Sequence, residues 1–324
     1  MNYRISHVTR FKYSSPVSES VTEVRMQPLT DAIQHCLSFD LKPSPRARVF
    51  SYRDHLGNIV HHFDVARHHT MLVIAANSLV EVDAPAGVSV ENGRSVSWEE
   101  LESALASGDF FDMLAPSRFA QPTRLLHEFA DELKLGRGAD PLSALRRIST
   151  AIFRSFEYQP QSTRVDSPID DALRSKRGVC QDFTHIMITL ARGLGIPCRY
   201  VSGYLFHRVE DHDRSEPDAS HAWCEAWLPG LGWTGFDPTN NIPAGPRHIR
   251  VAVGRDYADV PPTKGVYKGE ATAELSVAVS VTLADETANA ADLERIMNWN
   301  QFEFSAETEA EALLTHQQQQ QQQQ

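Results

Sequence analysis

Apolar and polar residues alternate along much of the first hundred positions of the chain. This two-residue period, typical of half-buried strands, runs through the segments YRISHVTRFKY, CLSFDLKP, NIVHHFDV and TMLVIAANSLVEV. Proline and the turn pairs Asp-His and Gly-Asn separate these segments, and helical spacing is almost absent. The pattern predicts an antiparallel β domain over residues 1–110.

Helical spacing of apolar residues begins after this region. It predicts two helices, through Leu125, Leu126, Phe129 and Leu133 and then through Leu142, Leu145, Ile148, Ile152, Phe153 and Phe156. Asp140 and Pro141 are a typical N-cap and first-turn pair for the second helix. Ser167 and Pro168 repeat that signal, which predicts a short third helix.

A longer helix is predicted to begin at Cys180. Residues 175–178 form a loop before it, and apolar residues then recur at helical spacing: Val179, Phe183, Ile186, Met187, Leu190 and Leu194. Gly193 or Gly195, with Pro197 beyond, marks the end of this helix. It therefore turns one apolar stripe towards a core, and its first turn holds Cys180 in a fixed position.

Two strands joined by a Pro-Gly turn are predicted in the segments HAWCEAW and PGLGWTGFD. On the first strand His221 shares a face with Trp223, and on the return strand Asp237 shares a face with Trp233. Folding the chain back over residues 228–232 places His221 and Asp237 opposed or diagonal on one face, within side-chain reach.

Cys180, His221 and Asp237 are the residue types of a thiol nucleophile, its base and the carboxylate that orients the base. First-turn N–H groups and the helix dipole favour a thiolate by about 0.3–1 kcal/mol when exposed and about 2 kcal/mol when partly buried. Lys176 and Arg177 are placed to add to this effect. We therefore predict a Cys-His-Asp triad, with Asp237 on one imidazole nitrogen and Cys180 on the other.

The segments around these three residues resemble the core of the transglutaminase-like superfamily. They are GVCQD at Cys180, SHAWCE at His221 and the stretch from Trp233 to Thr239, which contains Asp237. The resemblance extends to YRISHVTRFKYSSPV and DHLGNIVHHFDV, which are similar to the N-terminal domain of bacterial members, and to HIRVAVGRDYADVPPTKGVYKG after the core. It covers about residues 1–283.

The resemblance implies a papain-like core in which Cys180 is the nucleophile, His221 the general base and acid, and Asp237 the orienting group. The superfamily includes enzymes that cross-link amides, peptidases and members that have lost catalysis. The resemblance therefore leaves the substrate and the acceptor open.

The predicted fold class is α+β. A β-rich N-terminal domain (residues 1–110) precedes a transglutaminase-like catalytic core (residues 111–283), in which the nucleophile helix packs on an antiparallel sheet. Further strands, IRVAV and ELSVAVSVTL, are assigned to this core. Residues 284–324 form an added tail that ends in eight glutamines, Gln317 to Gln324, and is expected to be disordered.

We expect cysteine-dependent acyl transfer at an amide or peptide bond of a protein or peptide substrate, with water as the favoured acceptor. Two alternatives stay open: a protein-glutamine γ-glutamyltransferase, and a non-catalytic binding or scaffold protein. The backbone N–H of Cys180 is expected to bind the oxyanion, and the second donor is unassigned. Further residues expected to line the site are Tyr204, Trp223, Trp233, Gln181 and Asp182.

Charge and cysteine content limit the kinds of partner and the cellular compartment that are expected. The 324 residues include 31 basic and 42 acidic ones, and the net charge of −11 disfavours nucleic acid and membrane surfaces as partners. Four cysteines without disulfide spacing, no apolar export segment and no run of eighteen apolar residues predict a cytoplasmic location. No cofactor is expected.

Two other polar clusters are conspicuous. The histidines His61, His62, His68 and His69 would need partners from two paired segments to bind zinc, so solvated strand positions are favoured and no metal is predicted. The acidic segment VEDHDRSEPDAS precedes His221. It is either a surface loop or a border of the site that attracts a basic group of the substrate.

Overall fold

The computed structural model describes residues 1–83 and 96–284, and the chain divides into two compact units. Among the described residues, the first unit consists of residues 1–82 and 262–284, and the second consists of residues 83 and 96–261. Helices and antiparallel sheets are both present, which confirms the α+β class.

Strands account for the first part of the first unit. They are β1 (Asn2–Val17), β2 (Glu19–Val24), β3 (Gln34–Ser44), β4 (Phe50–Arg53), β5 (Ile59–Val65) and β6 (His69–Val82). Apolar side chains from these strands, among them Val24, Phe63, Leu72 and Ile74, form one buried core. The alternation of apolar residues along the chain thus corresponds to strands with one face turned to this core.

The described helices belong to the second unit. They are α1 (Trp98–Leu105), α2 (Phe111–Leu114), α3 (Arg124–Glu132), α4 (Pro141–Ser155), α5 (Ile169–Ser175) and α6 (Cys180–Gly193). The predicted start signal of α4 is confirmed, because the Asp140 carboxylate accepts the Ser143 N–H at 2.8 Å with Pro141 in the first turn. The signal at Ser167 and Pro168 is wrong in detail, because Pro168 itself is the N-cap of α5 and no side chain caps that helix. Helix α6 begins at Cys180, as predicted.

The second unit also contains a five-stranded antiparallel sheet. Its strands are β9 (Cys198–Leu205), β10 (His221–Leu228), β11 (Gly232–Asp237), β12 (Ile242–Pro243) and β13 (His248–Gly254), after the short parallel pair β7 (Glu157–Tyr158) and β8 (Arg177–Gly178). The strand order is β12-β11-β10-β9-β13. Helix α6 packs on β9 and β10, and side chains from α4, α6 and the sheet share one apolar core.

The predicted domain boundaries are wrong at both ends of the core. After the second unit the chain continues into β14 (Thr263–Lys268), which pairs with β2, and β15 (Ala273–Leu283), which pairs with β1. The segment ELSVAVSVTL therefore completes a sheet of the first unit, with the order β15-β1-β6-β3. At the other end the first unit ends at Val82, so α1 lies in the second unit. The tail from residue 285 onward lies outside the described residues.

Buried Arg192 holds the C-terminal part of α6 in place. Its guanidinium donates to the backbone carbonyls of Met113, Ala115, Cys198 and Arg255 at 2.7–3.0 Å, and to the Ser117 hydroxyl at 3.2 Å. These bonds satisfy acceptors from several loops at once, because a guanidinium carries five donors in a fixed plane. The helix that begins with Cys180 is thereby anchored at its other end.

Three of the clustered histidines, His61, His62 and His69, make separate contacts. His61 packs its ring against Phe39, and His62 stacks on Phe50 on the other side of the strand.

Within the described residues, no helix combines the length and apolar character needed to cross a membrane.

Candidate active site

Cys180 is half-buried and occupies the first position of α6. The helix start is braced by Asp182, whose carboxylate accepts the Val179 N–H at 2.9 Å and the Thr163 hydroxyl at 2.6 Å. Burial raises the pKa of Asp182, although both hydrogen bonds oppose the shift. Asp182, predicted to line the site, thus stabilises the loop before Cys180 through these hydrogen bonds.

His221 and Asp237 meet where the β10–β11 hairpin opens. The last paired residues of the ladder are Cys224 and Phe236, and beyond them the two side chains approach diagonally on one face. The His221 Nε2 atom lies 2.8 Å from Asp237 Oδ2, and both side chains are buried. The contact predicted from strand periodicity is present.

The second nitrogen of His221 is available to Cys180. His221 Nδ1 is buried and forms no hydrogen bond among the described residues, and Cys180 is one of the groups that raise the pKa of the imidazole. Burial lowers the pKa of His221, but Asp237 and Cys180 overcome it and raise the pKa to about 10. The raised pKa favours the protonated imidazole at neutral pH.

Asp237 stays ionised although it is fully buried. Its Oδ1 atom accepts the backbone N–H groups of Thr239 and Asn240 at 2.9 and 3.2 Å, and its Oδ2 atom accepts the Asn240 amide at 2.8 Å. Burial raises the pKa of Asp237, but interactions with His221 and His248 outweigh burial and hold the pKa well below its usual range. The turn after β11 is thus built to keep this carboxylate charged.

A second histidine on Asp237 was not predicted from the sequence. His248, the first residue of β13, places Nε2 3.2 Å from Asp237 Oδ2. Its Nδ1 accepts the Gly245 N–H at 3.1 Å, so the ring proton must sit on Nε2 and point at the carboxylate. Burial lowers the pKa of His248, which favours this neutral form.

His221, Asp237 and His248 also form a group whose ligand atoms lie within 4.8 Å of one another. A metal bound at His248 Nε2 would need the lone pair of that nitrogen. The Gly245 N–H instead fixes the tautomer in which this nitrogen carries a proton. The donor pattern therefore favours a hydrogen-bonded carboxylate over a metal centre.

The residues predicted to line the site differ in how close they lie to His221. Trp223 is buried, with its ring 6.1 Å from that of His221 and 5.1 Å from that of His248. The Gln181 amide donates to the Val165 carbonyl at 2.9 Å.

Tyr204 and Trp233 lie farther away than expected. Tyr204 points to the sheet face opposite His221, since directly paired Gly203 and His221 share a face and Tyr204 is the next residue along β9. Trp233 stands four residues before Asp237, about 13 Å along the strand, against Arg199 and Phe110.

Three other tyrosines are affected by the charge of Cys180. Burial raises the pKa values of Tyr158, Tyr200 and Tyr257, and the charge of Cys180 adds to each shift. Tyr200 lies on β9, as the predicted Tyr204 does, while Tyr158 pairs with Gly178 just before Cys180. The parallel β7–β8 pair is only two residues long, which explains why no periodicity revealed Tyr158.

Comparisons with known proteins show the family of this chain. The model of the transglutaminase-like superfamily matches residues 128–238, and the model of the bacterial transglutaminase-like N-terminal region matches residues 3–81. An uncharacterised protein of Mycobacterium leprae is 35% identical over 283 residues, which are 86% of this chain and 98% of that protein. The chain belongs to the transglutaminase-like superfamily.

Other relatives extend this assignment. An uncharacterised protein of Mycobacterium tuberculosis is 34% identical over 295 residues, which are 86% of this chain and 92% of that protein. A crystal structure of a candidate cysteine protease from Cytophaga hutchinsonii has a TM-score of 0.70 at 24% identity, covering 89% of this chain and 92% of that one. This likeness concerns the fold. The matched superfamily core contains Cys180, His221 and Asp237, and the N-terminal match ends beside the Val82 boundary.

Proposed function

We propose that this protein is a thiol-dependent enzyme that breaks amide or peptide bonds by acyl transfer, with Cys180, His221 and Asp237 as its catalytic residues. One observation carries the proposal: buried His221 binds Asp237 through Nε2 at 2.8 Å, while its Nδ1 is left for the Cys180 thiol. This is the arrangement that a base needs to exchange a proton with a nucleophile.

In the first step the Cys180 thiolate attacks the carbonyl carbon of the substrate, and a C–S bond forms. The negative charge moves to the carbonyl oxygen, where the backbone N–H of Cys180 at the start of α6 is placed to stabilise it. Protonated His221 then donates its Nδ1 proton to the leaving nitrogen. The C–N bond breaks, and a thioester on Cys180 remains.

In the second step an acceptor resolves the thioester. Neutral His221 removes a proton from the acceptor, the acceptor attacks the thioester carbonyl, and Cys180 leaves as a thiolate beside the reprotonated imidazole. Water gives a carboxylic acid, whereas a primary amine gives a new amide. We favour water, and a protein or peptide as the substrate.

Three kinds of activity are separated by one experiment. Wild-type protein and the Cys180→Ala variant are incubated with a library of glutamine-containing peptides, with and without a primary amine, and the products are followed by mass. Cleavage, deamidation and amine incorporation each change the mass differently. The proposal expects cleavage or deamidation that Cys180→Ala abolishes.

Amine incorporation in preference to hydrolysis would instead favour the glutamyltransferase alternative. If wild type produced none of the three products, and if Cys180 reacted with iodoacetamide near neutral pH no faster than the other thiols, the scaffold alternative would replace the enzyme. We further propose a reducing compartment such as the cytoplasm, because all four cysteines are free thiols and the nucleophile must remain one.

A further inference from the structure

A basic cleft lies next to the loop that carries Cys180. It has a volume of about 720 Å³, and the end of α4, strand β7 and residues 175–177 contribute to its walls. Its charged side chains are Arg154, Lys176, Arg177, Arg214 and Glu157. In a chain with a net charge of −11, this cleft therefore carries an excess of three positive charges.

Most of the positive charge in the cleft is not neutralised. Arg177 pairs with Glu157 at 3.2 Å. Arg154 is exposed, and neither it nor Lys176 nor Arg214 forms an ion pair within the described parts of the chain. Like charges held close together repel one another, so an anion that enters the cleft gains their combined attraction.

Two of these cations are fixed by aromatic rings. The Arg214 guanidinium lies 3.5 Å from the centre of the Phe153 ring and donates to the Phe153 carbonyl at 2.8 Å. The Lys176 ammonium lies 4.7 Å from the centre of the Phe129 ring. A ring face holds a cation in place without cancelling its charge, so the cleft is organised before any ligand binds.

Both walls of the cleft are connected to the triad. On one wall, Tyr158 pairs with Gly178 two residues before Cys180. On the other, the Arg214 N–H donates to Asn240 Oδ1 at 2.7 Å, and the amide of the same asparagine donates to Asp237 at 2.8 Å. A peptide whose carbonyl reaches Cys180 would thus have its neighbouring residues beside the cleft.

Two carboxylates of the acidic segment before His221 are already paired with basic residues. Asp211 and Asp213 are paired with Arg247 at 3.1 and 2.7 Å, and Asp213 also lies 3.3 Å from His207. These two carboxylates are therefore not available to attract a basic group of the substrate.

We infer that the cleft binds carboxylate side chains of the substrate, so that the protein acts on acidic peptides. This inference rests on the proposed function, because it assigns the substrate class of the same site. Glutamate or aspartate residues next to the attacked amide would lie against Arg154, Lys176 and Arg214. A lysine-rich peptide of the same length would be repelled.

The test uses two tetrapeptide chloromethyl ketones that differ only in carrying two glutamates or two lysines. The Cys180 thiolate displaces chloride from the methylene carbon, a C–S bond forms, and the adduct is counted by mass. We expect the glutamate reagent to modify Cys180 at least about tenfold faster at low salt, with the ratio falling in 0.5 M salt.

Matched variants locate the source of this preference. The Arg154→Gln and Arg154→Gln/Lys176→Gln variants should lower the ratio about two- to threefold for each charge removed. Arg174→Gln removes the same charge from an exposed position on α5 outside the cleft and should leave the ratio unchanged.

The possible failures are distinguishable. Equal rates for the two reagents, or an acidic preference that survives unchanged in the double variant, would overturn the inference while Cys180 still reacted. If Cys180 showed no enhanced reaction with neutral iodoacetamide either, the proposed function itself would fail.

Discussion

Replacing Asp237 by asparagine tests the electrostatic basis of the triad. The substitution keeps the size of the side chain and removes the negative charge that faces His221 at 2.8 Å. In the folded protein burial alone lowers the pKa of His221, and Asp237 is the largest influence that raises it to about 10. Without that carboxylate we expect the pKa of His221 to fall to its ordinary value of 6.5 or below.

The size of the effect follows from the protonated fraction of the imidazole. With a pKa of about 10, His221 is almost completely protonated at pH 7. At pKa 6.5 about a quarter of the molecules remain protonated, and at pKa 5.5 about 3%. If the reactive thiolate exists as a pair with the imidazolium, the reactivity of Cys180 at pH 7 should fall about 4- to 30-fold.

The assay is the rate of Cys180 alkylation by iodoacetamide from pH 5 to 10, followed by mass. A Cys36→Ser background removes the other thiol that is not fully buried. Asp140→Asn serves as the matched control, because asparagine caps a helix about as well as aspartate and this position caps α4. Above about pH 9 the profiles should converge, since ordinary thiol ionisation then needs no imidazolium.

The reasoning would be refuted if Asp237→Asn, folded and as thermally stable as the control, kept the wild-type rate at pH 6–7. The Asp237 carboxylate would then not be the group that keeps the His221 imidazole protonated. A uniform loss at every pH would point instead to a displaced Cys180 side chain.

Four further outcomes are expected. Because the folded pKa of His221 is raised above its unfolded value near 6.5, its stabilising contribution is complete below pH 6.5 and is lost as pH rises through about 10. The unfolding free energy, measured by urea titration, should therefore fall more steeply over pH 6.5–10 in wild type than in Asp237→Asn. His248→Leu should lower Cys180 alkylation at pH 6 about 3- to 10-fold, whereas His248→Gln, which can both donate to Asp237 and accept from the backbone, should restore most of it. Gly203→Ala should destabilise the second unit by about 2 kcal/mol or more in the same titration, because a Cβ there meets the backbone of β13. Arg192→Leu should lower the unfolding free energy by about 3–5 kcal/mol, because it leaves buried carbonyls without donors, and Arg192→Lys should lower it less. Unchanged urea midpoints would contradict the predictions for Gly203 and Arg192.

Local patterns were sufficient to predict the elements that carry the triad. Helix α6 begins at Cys180 because Gly178 interrupts the preceding structure and apolar residues then recur at helical spacing. The β10–β11 hairpin follows from two strands and a Pro-Gly turn, which also fix the face that His221 and Asp237 share. Each of these features depends on residues close together in the sequence.

The domain boundaries could not be predicted in the same way. The segment ELSVAVSVTL is recognisable as a strand, but its partner is β1, and Tyr3 pairs with Leu283. The alternation of apolar residues indicates that a strand has a buried face, not which strand lies beside it. The sequence therefore assigned β15 to the nearer sheet.

His248 was missed for a related reason. It begins β13, which reaches the site only because this strand pairs with β9, and its partner Asp237 lies on β11. An isolated histidine before an apolar strand is most simply interpreted as a packed surface residue. Only the sheet order places its Nε2 on the carboxylate, and only the Gly245 N–H fixes its tautomer.

The cations near Cys180 differ in what they do. The sequence suggested that Lys176 and Arg177 would support the thiolate, but Lys176 lies over aromatic rings and Arg177 pairs with Glu157. The positive charge that faces the thiol comes from His221 and the start of α6. Activation of the thiol and attraction of an acidic substrate are thus carried by separate groups. Removing the cleft cations should therefore change the preference between peptides and leave the pH profile of Cys180 alkylation in place.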